Sequence, residues 1–214
     1  MFNDEYKDKK VLVTGHTGFK GSWLCLWLNN LGANVVGFSL EPNTTPNHFD
    51  LINTNMRSEI GDIRDKNKLD KVFRNFQPEI VFHLAAQPLV RYSYKNPSET
   101  YETNVIGTLN VLEMCRKYSS VKAIIIITTD KVYKDKKWIY PYKESDDLGG
   151  HDPYSSSKSC VEILCESYKN SYFNSKDYNI KHSTLMATCR SGNVIGGGDW
   201  SLDRLVPDVM KSTS

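Results

Sequence analysis

The sequence predicts an α/β fold: an open, doubly wound parallel sheet with helices on both faces. Three observations predict it. Short β-rich runs alternate with segments of helical periodicity along the whole chain, the β-α-β order from which parallel sheets are built. The most apolar run, residues 121–128, has the continuous character of a central strand covered on both sides. Neither internal repeats nor low-complexity linkers divide the 214 residues, a length that suits one sizeable domain.

The elements follow in order. Residues 10–14 predict a first strand that ends at a glycine, and residues 19–31 a helix with Trp23, Leu24, Trp27, Leu28 and Leu31 at helical spacing. Residues 34–39 predict a second strand. The polar, Pro- and Asn-rich stretch 41–55 reads as loop with at most one helical turn. A helix over 65–76 and a strand over 79–84 come next. Residues 97–118 predict a long helix whose turns are marked by Val105, Leu109, Leu112 and Arg116. After the central strand, a second long helix is expected over 153–174 and a last strand over 182–190. Ligands of such sheets bind at the carboxyl ends of the strands, so the residues just after each strand are the ones to read.

Composition narrows the function classes. A formal net charge of +2 is too small to argue for nucleic acid or an anionic membrane as partner. Lys131, Lys134, Lys136 and Lys137 are interleaved with Asp130 and Asp135, as in a solvated loop. The five cysteines are odd in number, include no C-x-x-C and lie mostly among apolar neighbours, which suits reduced thiols in a cytoplasmic protein. No two of the five histidines are at i, i+4, and no metal site is expected. No apolar stretch approaches the roughly 18 residues that span a bilayer. Residues 1–10 are polar and charged, without the apolar core of a secretory leader.

The first strand runs into Gly15, His16, Thr17, Gly18, Phe19, Lys20 and Gly21, immediately before a helix. Glycines allow a tight turn and close backbone approach, and the helix N-terminus offers free N–H groups to a pyrophosphate. The placement between strand and helix makes this a dinucleotide site of a Rossmann-like domain. Downstream, Tyr154 and Lys158 form a Y-x-x-x-K pair at the start of the helix that opens at Pro153. Spacing of i, i+4 puts both on one face. A neighbouring ammonium and a positive nicotinamide are expected to lower the tyrosine from its ordinary pKa near 10 and favour it as a general base.

The glycine spacing is G-x-x-G-x-x-G, and here the chain resembles the extended short-chain dehydrogenase/reductases. The resemblance implies cofactor contacts from Gly15, Thr17, Gly18, Phe19 and Gly21, from Asp62 and Ile63 against the adenine, from the strand end Leu84, Ala85 and Ala86, and from Tyr154 and Lys158. Asn104 matches the asparagine these proteins carry in mid-helix. One place is off-pattern: Ser39, Leu40 and Glu41 stand where an NAD-binding chain usually carries a carboxylate on the ribose. That leaves room for a 2′-phosphate, with Glu41 as a substitute carboxylate. No well-placed arginine follows, so NAD is expected ahead of NADP.

Segments 15–23, 83–91, 128–131, 148–158 and 192–200 together resemble the CDP-glucose 4,6-dehydratases. The resemblance implies that Thr129 bonds the substrate oxygen beside Tyr154, that Asp130 is an acid, and that Lys131 stands where relatives place a glutamate base. Gln87, Asn193, Trp200, Arg204 and Leu205 are the implied substrate contacts. The implied reaction oxidises C4 of a nucleotide sugar transiently, expels water across C5–C6 and returns hydride to C6. CDP-glucose is the implied substrate and a homodimer, paired through the 97–118 and 153–174 helices, the implied assembly. Residues 1–190 are expected to form the dinucleotide-binding domain, and 191–214 the start of a substrate-binding region cut short at Ser214. An epimerase or reductase of the same family and a catalytically silent dinucleotide-binding or dimerisation module stay open as alternatives.

Overall fold

In the computed structural model six strands form one parallel sheet in the order β3-β2-β1-β4-β5-β6. The described residues are 2–213 except Asn53 and Asn55. The strands are β1 Lys10–Thr14, β2 Asn34–Ser39, β3 Arg57–Ile60, β4 Ile80–His83, β5 Ala123–Ile127 and β6 Leu185–Cys189. Helices α1 Phe19–Asn30, α2 His48–Leu51, α3 Lys66–Phe76, α4 Val90–Lys95, α5 Pro97–Tyr101, α6 Gly107–Lys117, α7 Pro153–Ser171 and α8 Leu205–Ser212 complete the fold. The strand order reverses beside β1, which pairs with β2 on one side and β4 on the other. That reversal opens a crevice at the carboxyl ends of the strands.

Successive strand residues point to opposite faces, and the core divides accordingly. Leu12, Val36, Phe38, Val81, Ile124 and Ile126 meet Leu69, Phe73, Leu112, Val161 and Cys165 from α3, α6 and α7. Their in-between neighbours Val11, Val13 and Val35 meet Cys25 and Leu28 of α1 on the other side. Each fully buried aliphatic side chain contributes roughly 1.5–3 kcal/mol. Over β5 and β6 this second face is thinly covered: Ile125 and Ile127 are half-buried and Leu185 is 48% exposed. Local signals fix the helix starts. Asp65 accepts from Lys68 N–H at the head of α3, and Asp152 from Ser155 N–H at the head of α7, where Pro153 follows.

The structure departs from the sequence expectations in four places. A sixth strand, Arg57–Ile60, lacks an apolar alternation; it forms as an edge strand by pairing with Val36–Ser39. In α1 the buried residues are Gly21, Ser22, Cys25 and Leu28, while Trp23 and Trp27 of the expected apolar stripe are about half exposed. The long helix expected over 97–118 is broken into α5, a π-helical turn at Glu102–Ile106, and α6. Helices α4 and α8 stand where no helix is expected. Within 41–55, α2 supplies the one helical turn; Asn53 and Asn55 lie outside the described residues. No described helix is long and apolar enough to cross a membrane, and the described residues contain no His/Cys/Asp/Glu group fit to hold a metal. All five cysteines are free; Cys25, Cys115 and Cys165 are buried and Cys189 is exposed.

Candidate active site

The site is built outward from the end of β1. Gly15 has φ +75° and a Cβ there would lie 2.7 Å from Ala85 N. A Cβ on Gly21 would lie 2.0 Å from Gly15 O. Only glycine lets α1 and the β4 end approach the turn so closely. Gly18 is the N-cap of α1 and no side chain caps it, so the first-turn N–H groups are left for a ligand. Gly18, Phe19, Lys20 and Gly21 line a cavity of about 400 Å³.

Beneath the turn runs a buried polar chain. Thr14 Oγ1 bonds His83 Nδ1 at 2.7 Å, and His83 Nε2 bonds Thr108 Oγ1 at 2.9 Å. Burial, helped by the Lys158 charge, pushes His83 down to about 3, so its imidazole is neutral. At one end of the cavity, Thr17 Oγ1 bonds Ser39 Oγ at 2.9 Å and donates to Leu40 O at 2.8 Å. Asp62 accepts from Arg64 Nε at 2.9 Å and Nη2 at 2.6 Å, and these bonds hold its carboxyl below the usual range. Thr17, Ser39, Glu41, Asp62, Ile63 and Arg64 all line the cavity.

At the other end, Leu84, Ala85, Ala86 and Gln87 line the cavity. The π-helical turn explains their placement: Asn104 Oδ1 accepts from Gln87 N–H at 2.8 Å, and its Nδ2 donates to Ser157 Oγ at 2.8 Å. Tyr154 and Lys158 line the cavity from α7. Lys158 is buried and donates from Nζ to Ile127 O at 3.0 Å. Burial, with Lys20 nearby, pulls its ammonium down to about 8. Tyr154 differs from the expected lowering: burial raises it, opposed by the neighbouring Thr129 hydroxyl. The Lys158 ammonium points at a backbone carbonyl and not at the phenol.

Thr129 is buried, and its hydroxyl also bonds Asp130 Oδ1 at 3.1 Å. The Thr129 hydroxyl and the Asp130 carboxylate thus form a hydrogen-bonded pair beside the cavity, next to the Tyr154 phenol. Lys131 is exposed and, with Thr129 and Asp130, lies outside the cavity lining. Of the expected substrate contacts, Gln87, Trp200 and Arg204 line the cavity, whereas Asn193 and Leu205 are exposed away from it. Arg204 Nε is buried without a hydrogen-bond partner among the described residues, 3.9 Å from Asp199 Oδ2. Lys20, His83 and Thr108 are further residues of the site that sequence reasoning left out. Lys20 sits inside the glycine motif and was legible there; the Thr14–His83–Thr108 chain joins three distant segments.

The comparisons with known proteins agree with this geometry. Residues 12–177 match the family model described as GDP-mannose 4,6 dehydratase. The chain is 51% identical over 209 residues to the CDP-glucose 4,6-dehydratase of Salmonella typhimurium, covering 97% of this chain and 58% of that protein. Epimerase Mth375 of Methanothermobacter thermautotrophicus superposes with a TM-score of 0.84 at 27% identity, over 97% of this chain and 59% of that one. The UDP-glucose 4-epimerase of Thermus thermophilus, a complex with NAD, superposes with a TM-score of 0.75 at 28% identity, over 90% of this chain and 58% of that one. The chain therefore spans less than two thirds of the length of these relatives. From its fold, its glycine turn and these matches, the chain belongs to the sugar-nucleotide 4,6-dehydratase family whose model is described as GDP-mannose 4,6 dehydratase.

Proposed function

We propose that this chain carries the NAD-binding and acid–base part of an enzyme that dehydrates CDP-glucose to its 4-keto-6-deoxy product. The observation that carries the reading is the row Tyr154–Thr129–Asp130 beside the glycine-lined cavity. The cavity fits a dinucleotide: Gly15 and Gly21 leave no room for a side chain, and the uncapped head of α1 supplies N–H donors. When bound, the dinucleotide supplies the hydride acceptor and donor. Arg64 is committed to Asp62, so it is not free to hold a 2′-phosphate, which favours NAD over NADP.

Tyr154 takes the proton of the sugar 4-hydroxyl, and Lys158 holds the nicotinamide ribose. Dehydration also needs an acid at the departing 6-hydroxyl. The Thr129–Asp130 hydrogen bond beside Tyr154 offers a path for the proton from Tyr154 to Asp130, which then delivers it. Lys131, exposed outside the cavity lining, gains no geometric support as the C5 base. Gln87, Trp200 and Arg204 face the sugar nucleotide, and the Arg204 guanidinium brings positive charge for its diphosphate. Asn193 and Leu205 belong to the same substrate-facing region, residues 191–214. The exposed Ile106 and Ile163, on the π-helical turn and α7, support pairing with a second copy. The buried free thiols support a cytoplasmic location, and the small net charge argues against a nucleic acid or membrane partner.

Incubation with NAD and excess CDP-glucose, read by mass spectrometry, tests the reading. The expected product has lost one water and carries a 4-ketone. Tyr154→Phe should slow its formation by about 10²–10⁴-fold. Inversion at C4 without water loss points to an epimerase, and NAD binding without turnover to a binding module; either result overturns the proposal.

A further inference from the structure

Tyr154, Lys158 and Glu162 stand four residues apart on one stripe of α7. The first two line the cavity. Glu162 sits behind them, 5% exposed, and no step of the proposed reaction uses it. A carboxylate out of water is costly unless its oxygens are satisfied. Here they are satisfied from three directions. Arg190 donates from Nε and Nη2, each at 3.0 Å; Thr188 Oγ1 donates at 2.9 Å; and Thr128 Oγ1 donates through a short bond. Burial pushes the Glu162 carboxyl up, but the Arg190 and threonine bonds outweigh it and hold the group below the usual range. Arg190 is fixed in turn, lying 5.0 Å over the Tyr133 ring and donating to Glu144 O at 3.1 Å.

The partners of Glu162 are the ends of two neighbouring strands. Thr128 follows β5, Thr188 lies in β6 and Arg190 follows β6. The parallel ladder runs on past both strands, with Thr128 N–H donating to Cys189 O at 2.9 Å and Asp130 N–H to Ser191 O at 3.0 Å. Thr129 and Asp130 emerge from this doubly held backbone. An apolar side chain would fill the space as well and at lower cost, since buried ion pairs are often replaceable by hydrophobic groups without loss of stability. What the charged pair adds is direction: it fixes the Thr128 side chain and, through the alternation of an extended chain, the side on which Thr129 projects.

We propose that the Glu162–Arg190 pair is a positioning device for the reaction centre, holding residues 128–130 so that the Thr129 hydroxyl stays beside the Tyr154 phenol. The proposal rests on reading Tyr154 as the reacting group, but it is tested on the Tyr154 phenol itself, without turnover. In the cofactor-free chain the phenol faces Thr129, Asp130, Asp152 and Arg204; burial raises it and the neighbouring Thr129 hydroxyl draws it back. Phenolate formation is followed by near-ultraviolet difference absorbance, with the Tyr154→Phe chain subtracted to remove the other tyrosines. Glu162→Gln keeps the shape and removes the charge. Thr128→Val removes one hydroxyl and serves if Glu162→Gln fails to fold.

Either variant should move the Tyr154 midpoint upward by about half a pH unit or more. For Glu162→Gln, a residue outside the cavity lining, NAD affinity should stay within about twofold of the unchanged chain. A folded variant whose Tyr154 titrates as in the unchanged chain overturns the proposal, even if its thermal stability falls, because that is the signature of a merely structural pair. If the unchanged chain fails to bind NAD, the cofactor reading fails, and the phenol titration still decides the positioning role.

Discussion

The chain has two three-glycine segments that each follow a parallel strand, and they are held in opposite ways. Around Gly15, Gly18 and Gly21 the neighbours are backbone: a Cβ on Gly15 meets Ala85 N at 2.7 Å and one on Gly21 meets Gly15 O at 2.0 Å. Around Gly196, Gly197 and Gly198 the neighbours are side chains on one side only. A Cβ on Gly196 would meet Phe19 Cζ at 3.2 Å, one on Gly197 meets nothing within 4 Å, and one on Gly198 meets the His48 ring at 2.4 Å. His48 stacks on Trp23 with ring centroids 4.3 Å apart, and Trp23 Nε1 donates to Gly197 O at 2.9 Å. The first segment is required by the packing of the sheet and α1 on each other. The second is draped on α1 and α2 and has no wall behind it. The cavity is walled by backbone around the first segment, while the second lies on side chains of α1 and α2.

That contrast breaks most visibly at Gly21. Gly21→Ala drives a methyl into the Gly15 carbonyl, and overpacking against backbone costs about 1–3 kcal/mol or more. The expected outcome is loss of measurable NAD binding with a lowered unfolding midpoint in urea. An unchanged midpoint would show that the turn has slack this packing does not allow.

A second effect comes from pH. Burial pushes His16 down to about 4 and His83 to about 3 from an ordinary value of 6.5. Both bind a proton more readily unfolded than folded, so their neutral forms contribute stability that is fully present above pH 6.5. It declines as pH falls below 6.5 and is fully lost once pH has fallen through about 4 for His16 and about 3 for His83. Urea unfolding measured stepwise from neutral pH downward should show the decline beginning below pH 6.5. A flat profile down to pH 4 would mean that neither ring is buried as described. The smallest effect is at the other glycine segment: Gly197→Ala should shift stability by no more than about 0.5 kcal/mol and leave NAD affinity unchanged, by the same urea and titration measurements.

The same contrast explains what could be read from the sequence. The strands at 10–14 and 34–39, the glycine turn and the Tyr154–Lys158 pair are coded locally, by periodicity, by glycine and by i, i+4 spacing. Strand Arg57–Ile60 was not legible, because only pairing with β2 makes those polar residues a strand. The π-helical turn escaped for a similar reason: it answers to Asn104 reaching Gln87 and Ser157 across the fold. The upward shift of Tyr154 depends on how deeply α7 packs and on where the Lys158 ammonium points, and the Y-x-x-x-K spacing encodes neither. Glu162 was visible as the next step of that spacing, but its meaning lies in Thr128, Thr188 and Arg190, which are distant in the chain.

Backbone walls around the first glycine segment and side-chain support alone around the second have a direct consequence for the proposed binding. Calorimetric titration of NAD and, separately, CDP-glucose into the 214-residue chain reads it. NAD should bind with saturation, and CDP-glucose at least about 100-fold more weakly, a gap of roughly 2.7 kcal/mol. Failure to bind NAD, or CDP-glucose binding as tight as NAD, would refute that division of the site.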